Sequence, residues 1–440
     1  MKIYRSVFFV LIALGSYCST VRADSVQARA ADELVDSIGV NTHFGYTDRP
    51  YAKRYDDVAA RLGELGVRHI RDGVDNRAAV ANRVRALHEK FGIGALQIVG
   101  PRVDSRQPWM GKLDPAKIDG VLATIKTLYG EANEAIEGPN EYDNTHKNAA
   151  PRADDADWPA TLKTYTQALY EKVKADPVLK DRSVIGPSMA HAANAPKVAD
   201  LSAFISFGNF HPYPGGWNPA RQLDDYNLPK TRQMTGQRTL WATETGYQNA
   251  MAKPPGGHNP APEGVAGKYG PRLVAEYLRH GIARAYFYEL LDQDVKPADP
   301  EANFGLLRND LTEKPIFSAL KAMIALLKDP GAPFQPGRLD YSLAPMTADL
   351  HQLLLQKRDG RFYVLLWNET PCYDAVKRTE IAVAPLKITV KISQDVKRVT
   401  TYLPSGHGTT VVESFDHPAA IAVDLSDELL IVEITRGAGR

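Results

Sequence analysis

The feature that most constrains this chain is a cycle repeated eight times before residue 330: a short apolar run, a loop, then a stretch with helical spacing. Strand-like runs are Ser37–Val40, Val67–Ile70, Ala95–Val99, Glu134–Ile136, Ser183–Ile185, Phe204–Phe210, Thr239–Thr243 and Ala285–Tyr288. Between them apolar residues recur at the spacing of a helix face. The clearest cases are Tyr55–Leu65, Arg77–Lys90, Asp114–Tyr129, Thr161–Ala175, Arg272–His280 and Pro315–Leu327, and weaker stretches at Ala195–Ala203 and Ala220–Met234 complete the set. The last clear stretch opens on a proline, whose fixed φ suits a first helical turn. Strands alternating with helices imply a parallel sheet with right-handed crossovers. Eight such units predict a closed α/β fold, the (β/α)8 TIM barrel. The rival is an open doubly wound sheet with a glycine-rich first turn. The one candidate for that turn, Gly92-Ile93-Gly94, leads into a strand and lacks the third glycine.

After the breaker cluster Asp329-Pro330-Gly331-Ala332-Pro333 the texture changes. Short β-type runs follow at His351–Gln356, Phe362–Trp367, Leu386–Ile392, Val399–Leu403, Ala420–Val423 and Leu429–Ile434, with Asp359-Gly360 as a hairpin signal. Residues 331–440 are therefore expected to form a C-terminal antiparallel β-sandwich, and residues 24–330 the barrel. Residues 1–23 read as a signal peptide: Lys2 and Arg5, the apolar run Val7–Leu14, then small and polar residues up to Ala23. That run is shorter than the roughly 20 residues a membrane span needs, so the mature chain is expected to have no membrane span and to be exported, periplasmic or extracellular. Of the two cysteines, Cys18 falls in the leader and only Cys372 remains, which excludes an intrachain disulfide and a cysteine-rich zinc site. With 53 basic against 52 acidic residues there is no electrostatic footprint for nucleic acid.

In such a barrel, chemistry sits at the C-terminal ends of the strands. The fourth strand delivers Glu137-Gly138-Pro139-Asn140-Glu141-Tyr142 there, and the seventh delivers Trp241-Ala242-Thr243-Glu244-Thr245. The ends of strands four and seven face one another across a small barrel. Two opposed carboxylates are the minimum for cleaving a glycosidic bond, one to give a proton and one to attack carbon or activate water. One must hold a proton while the other is ionised, so their surroundings must differ. A gap of about 5–5.5 Å serves direct attack, and one of roughly 6.5–9.5 Å leaves room for water. Strand parity puts Arg71 on one face with His69. Its guanidinium fork is placed to bind Glu244 and keep it ionised; a salt bridge at the barrel bottom is the plainer alternative. Glu137 has the parity of Glu141 and is a candidate supporting group.

Asn140-Glu141 after strand four and Glu244 after strand seven resemble clan A retaining glycoside hydrolases, of a family 39-like, bacterial exopolysaccharide endoglycosidase type. Ile38-Gly39-Val40-Asn41-Thr42-His43-Phe44 and Leu65-Gly66-Val67-Arg68-His69-Ile70-Arg71 resemble that family's first two strands, and Phe304-Gly305-Leu306-Leu307 with Lys314-Pro315 its passage into the last helix. The resemblance implies Glu141 as acid/base, Glu244 as nucleophile, and Asn140 as the partner of the sugar 2-hydroxyl. It further implies that Tyr213 bonds the nucleophile and that His211 lines the site. The chain departs from many clan members near the end of strand eight, carrying Tyr286-Phe287-Tyr288-Glu289 where they have tryptophan.

Sugar faces stack on aromatic rings. Trp109, Trp158 and Trp217 follow strands three, four and six, and His43, Tyr247 and Tyr288 lie near strand ends. The Gly- and Pro-rich loop Gln248–Gly270 is expected to wall a cleft. The run Asp154-Asp155-Ala156-Asp157 lacks calcium-loop spacing and reads as a solvated loop. No HExxH, GxSxG or Walker motif occurs, so neither metal nor cofactor is expected. The reading is a retaining glycoside hydrolase whose partner is a polysaccharide or oligosaccharide, acting internally on an exopolysaccharide or cell-wall glycan. An exo-acting β-xylosidase-like enzyme and a non-catalytic carbohydrate-binding barrel are the alternatives. Trp367 offers the C-terminal domain a possible sugar contact, and nothing in the sequence bears on oligomeric state.

Overall fold

The computed structural model describes residues 24–100, 112–144, 155–254 and 258–437. Eight parallel strands form its centre: β1 Ile38–Asn41, β2 His69–Gly73, β3 Gly94–Ile98, β4 Asn133–Glu137, β5 Ser183–Ile185, β6 Gly208–Phe210, β7 Leu240–Thr245 and β8 Arg284–Phe287. Each pairs with its neighbours in chain order and β8 pairs back onto β1. The ring closes between β5 and β6 through the parallel bridge of Ile185 with Phe207 and the bond from Gly186 N to Phe207 O, 2.9 Å. The fold is the (β/α)8 barrel that the eightfold cycle predicts. Helices cover it: α1 Tyr55–Leu65, α2 Ala78–Phe91, α3 Ile118–Thr124, α4 Trp158–Ala175, α5 Ala195–Val198, α6 Leu228–Thr235, α7 Glu263–Arg279 and α8 Pro315–Leu327.

One helix corrects the sequence reading. The stretch Gln248–Gly270 is not loop throughout, because α7 begins at Glu263, nine residues before the expected Arg272. Gly267 and Gly270 suggested a loop, yet they lie against α8. A Cβ on Gly267 would meet Pro315 at 2.7 Å, and one on Gly270 would meet Ile316 at 2.7 Å. Missing side chains here let two helices approach closely, a packing use of glycine that looks like a breaker in sequence.

The barrel interior is layered. A middle layer of Leu96, Ala135, Ile185, Trp241 and Tyr286 forms a closed apolar cluster, with Phe207 packed on the Trp241 ring at 5.0 Å. Below it His69 lies between Asp36 (3.0 Å) and Glu134 (2.7 Å). Above it the inward residues turn polar: Asn41, Arg71, Glu137, Asn209 and Thr243, all buried. An apolar plug under a polar layer confines chemistry to the upper mouth.

Beyond α8 the chain forms strands: β9 Arg338–Ala344, β10 Leu350–Gln356, β11 Phe362–Asn368, β12 Leu386–Ile392, β13 Val396–Ser405, β14 Gly408–Asp416, β15 Ala420–Leu425 and β16 Leu430–Arg436. They make two sheets, β9-β12-β15 and β14-β13-β16-β11-β10, all of these pairings antiparallel. The expected barrel range 24–330 gives up its first residues to these sheets. Asp24–Gln27 pairs with β9, and Arg29–Ala30 pairs in parallel with β10. The unbroken apolar run of β11 follows from its two buried faces. Phe362, Val364 and Leu366 face the opposing sheet, while Tyr363, Leu365 and Trp367 belong to the core shared with the barrel helices. Trp367 is fully buried and donates from Nε1 to Glu276 of α7 at 3.1 Å, so it cannot serve as a surface sugar platform. No helix among the described residues is long and apolar enough to cross a membrane.

Gly39 leaves space for the Tyr286 ring inside the barrel: a Cβ there would lie 2.3 Å from Tyr286 Cδ1. Gly39→Ala is expected to overpack this layer and lower stability by about 1–3 kcal/mol, read as a lower urea midpoint at unchanged slope.

Candidate active site

The polar layer is organised by one side chain. Arg71, 2% exposed, bonds Glu137 through Nε (2.6 Å) and NH2 (2.7 Å). NH1 reaches Asn41 Oδ1 and Glu244 Oε1, both at 2.7 Å, and NH2 reaches Asn140 Oδ1 at 2.7 Å. All five guanidinium donors are used. Burial alone would disfavour the charge, but the carboxylates of Glu137 and Glu244 outweigh it and hold Arg71 cationic. The alternative of a salt bridge at the barrel bottom is excluded; that place belongs to His69. Glu137 is fixed in turn by Asn209 Nδ2 (3.0 Å) and Thr243 Oγ1 (3.1 Å).

Glu244 reaches this cluster by an irregularity in β7. Ala242 pairs with Ala285 and Thr245 with Phe287, so two residues of β7, Thr243 and Glu244, stand opposite one of β8. Strict alternation would send Glu244 outward with Ala242. The bulge turns both Thr243 and Glu244 toward the axis. Tyr213 donates to Glu244 Oε2 at 2.8 Å. Burial, with the charge of Glu244, pushes the Tyr213 phenol well above its ordinary value, so it stays a donor.

Glu141 stands across the mouth. Its backbone has φ +44°, a left-handed conformation rarely used outside glycine. It is held by the bond from Glu141 N to Ser188 Oγ (3.1 Å) and from Asn144 N to Glu141 O (2.9 Å). His211 lies between the two acids, Nδ1 being 2.9 Å from Glu141 Oε1 and 3.4 Å from Glu244 Oε2, with Nε2 3.0 Å from Thr243 Oγ1. One oxygen of Glu141, one ring nitrogen of His211 and one oxygen of Glu244 all lie within 4.8 Å of each other. Burial lowers the His211 pKa, but Glu244 and Glu141 together raise it above its ordinary value. These three groups also make a donor set for a divalent ion, as do Glu276, His351 and Glu369 beneath the C-terminal sheets. Arg71 already holds one oxygen of Glu244 and Tyr213 the other.

The mouth opens into a cleft of about 1090 Å³. Asn41, His43, Arg71, Asn140, Glu141, His211, Tyr213, Trp217, Glu244 and Tyr288 all line it. His43 stacks on Tyr46 (4.6 Å) and meets Tyr288 edge-on (5.6 Å). Burial, opposed by Glu244 and aided by Arg71, brings the His43 pKa down to about 4, so its imidazole is neutral. Tyr288, Phe304 and Tyr213 continue the wall at 5.4 and 5.6 Å between centroids. Tyr288, just past strand eight, thus supplies an aromatic ring to this wall. Trp109 lies outside the described residues. Trp158 starts α4 and packs on the core, and Tyr247 is buried against Tyr269, so neither lines the cleft. Asp154 lies outside the described residues; Asp155 is buried and accepts from Tyr142 OH at 2.8 Å, which corrects its reading as solvated.

Several site residues went unread in the sequence. Asn209, Thr243 and Ser188 are neutral and carry no motif, and Asn41 drew notice only as part of a strand. Glu301 opens to the cleft and accepts from Tyr288 OH at 3.3 Å. The surrounding protein, then the charge of Glu244, pushes its pKa up to about 7. His258, from the loop before α7, packs edge-on to Tyr213 at 5.3 Å, so the part of Gln248–Gly270 that is loop does wall the cleft.

No protein-family model matches the chain, and no curated protein matches it. Solved structures do. A family 39 glycoside hydrolase from the gut symbiont Bacteroides cellulosilyticus WH2 superposes with a TM-score of 0.62 at 16% identity, covering 93% of this chain and 83% of that one. A glucosidase from Croceicoccus marinus gives 0.61 at 12% identity, covering 95% and 98%. The family 51 α-L-arabinofuranosidase AbfB from Bifidobacterium longum gives 0.53 at 11% identity, covering 94% and 98%. At these identities the likeness is one of fold, and it extends over barrel and C-terminal sheets together.

Arg71→Met is expected to leave two carboxylates buried without their cation and to cost about 3–5 kcal/mol, read by urea unfolding. Arg71→Lys should restore only part of this, since an ammonium has no five-donor fork. The His211 imidazole, followed by NMR, should titrate above its ordinary value and move down in Glu244→Gln. Because the folded value is raised, the charged ring stabilises the fold below the unfolded pKa, and this contribution is lost as pH rises through the folded one.

Proposed function

We propose that this chain is an exported retaining glycoside hydrolase that cleaves β-linked polysaccharide internally by double displacement. The observation that carries the reading is the approach of Glu141 and Glu244, with carboxylate oxygens within 4.8 Å. An approach of that kind, one oxygen of each acid, suits the roughly 5–5.5 Å spacing of direct attack better than the roughly 6.5–9.5 Å that holds a water between acids.

In this reading Glu141 gives its proton to the glycosidic oxygen while Glu244 attacks the anomeric carbon. The bond to the leaving sugar breaks and a glycosyl ester to Glu244 forms. Glu141, now a carboxylate, takes a proton from water, which attacks the same carbon and releases Glu244. Arg71 on Oε1 and Tyr213 on Oε2 fix the attacking carboxylate. Asn140, its oxygen held by Arg71 and by Ser188 Oγ (3.2 Å), is oriented for the sugar 2-hydroxyl. A cleft of about 1090 Å³ lies at the upper end of single-ligand sites, roughly 300–1,000 Å³, and favours several rings over one.

The test is a panel of aryl β-glycosides and bacterial exopolysaccharides. Glu244→Gln should abolish turnover, and a 2-deoxy-2-fluoro glycoside should leave a covalent sugar on the peptide carrying Glu244. Glu141→Ala should lose about 10²–10⁴-fold on substrates with poor leaving groups. It should regain rate with azide, giving a product of retained configuration. A label elsewhere, or inverted product from the parent enzyme, would sink the assignment. Monosaccharide as sole product would replace internal cleavage by an exo mode.

A further inference from the structure

The C-terminal domain holds a loop that lines the cleft. Glu369, which follows β11 and is 6% exposed, accepts from Asn218 Nδ2 (3.0 Å) and from Ala220 N (2.8 Å) on one oxygen. Its other oxygen accepts from NH2 of fully buried Arg272 in α7 at 3.0 Å. Asn218 and Ala220 belong to the loop after β6. A Cβ on Gly216 in that loop would lie 3.2 Å from Ala375 and 2.8 Å from Pro260 O, so the loop is pressed between the C-terminal segment and the loop before α7. What this fastened loop presents to the cleft is Trp217 and Arg221.

Arg221 differs from the other charged groups there. The cleft is lined by two arginines and by Asp72, Asp75, Glu141, Glu244 and Glu301. Arg71 is saturated, and Asp75 is paired with Arg77. Arg221 lies exposed with its guanidinium 4.5 Å over the Trp217 ring, and it pairs with no carboxylate among the described residues. Stacking occupies a face of a guanidinium and leaves its in-plane N–H fork outward, the geometry that matches a carboxylate.

We infer that Trp217 and Arg221 form a second sugar subsite, held in the cleft by Glu369 of the C-terminal domain, for a ring that carries a carboxylate. The substrate is then an acidic glycan, with an uncharged or charged ring at Glu141 and Glu244 and a uronate farther along. This rests on the glycosidase reading and adds the substrate class. The C-terminal domain becomes part of the binding cleft through the loop it fastens, without touching sugar itself.

The test uses the full chain carrying Glu244→Gln, so that binding is measured without turnover. Two matched pairs of β-1,4-linked oligomers serve as probes: oligomannuronate against manno-oligosaccharide, and oligoglucuronate against cello-oligosaccharide. Each pair differs at carbon six alone. In at least one pair the acidic member should bind roughly 5-fold or more tighter. That preference should shrink between about 0.05 M and 0.5 M salt. Adding Arg221→Gln should bring the acidic member down to its neutral partner. Asn218→Ala, which cuts a tie to Glu369 without disturbing the buried Arg272 pair, should weaken both members alike. Equal binding within both pairs, or a preference that survives Arg221→Gln, would overturn the acidic subsite. If aryl glycosides are still turned over by the parent, the glycosidase reading stands. Absence of oligomer binding together with absence of turnover on the whole panel would overturn both.

Discussion

The active mouth depends on one buried cation. Arg71 rises from β2 into the buried floor of the cleft and spends five donors on four residues from three other strands or their ends. Glu137 and Glu244 give it two negative charges for its one positive, so the cluster would be repulsive without further donors. Asn209 and Thr243 on Glu137, and Tyr213 on Glu244, supply them, with His211 Nδ1 also near, 3.4 Å from Glu244. Removing any member leaves a lone pair or a charge in low dielectric, which is why such networks are satisfied completely or cost heavily. The same bonds that tie four strand ends together also aim the reacting carboxylate.

Around this cation the two imidazoles are sorted by charge. His211, between two carboxylates, is biased toward the protonated state; His43, walled by Tyr46, Tyr51 and Tyr288, is held neutral by burial. The imidazole between the acids is thus shifted toward its charged form, and the ring on the wall toward its neutral one. Glu301 shows the reverse effect: burial, then the charges of Glu244 and Glu141, keep this carboxyl from ionising early. One mouth holds acids and imidazoles in differing states because burial and neighbours differ within a few ångströms.

Much of this could be read from residue order. The eightfold alternation specified the barrel because each apolar run and each helix face is a local pattern. The acids were visible because strand ends four and seven are opposed in any such barrel, and Arg71 because parity carries it to their side. What escaped was set by tertiary fit. The bulge that turns Glu244 inward has no residue signature. Gly267 and Gly270 are the same letters whether they break a helix or let two meet. β14 is almost wholly exposed and so lacks apolar alternation, while the Asp24–Gln27 strand has meaning only beside β9, more than three hundred positions later. Asn41, Asn209, Thr243 and Ser188 are ordinary polar residues until a buried charge needs their bonds.

That last pairing has a kinetic meaning. The first described strand cannot close its ladder until β9 exists, and the Phe362, Val364 and Leu366 face of β11 is covered only when β12 and β15 supply the opposing sheet. Contacts so distant in sequence must wait until both partners are made, while the barrel's own neighbours can meet early. The two C-terminal sheets therefore close late, and a ribosome-bound fragment lacking β12 and β15 would carry an uncovered greasy ribbon that a chaperone must shield.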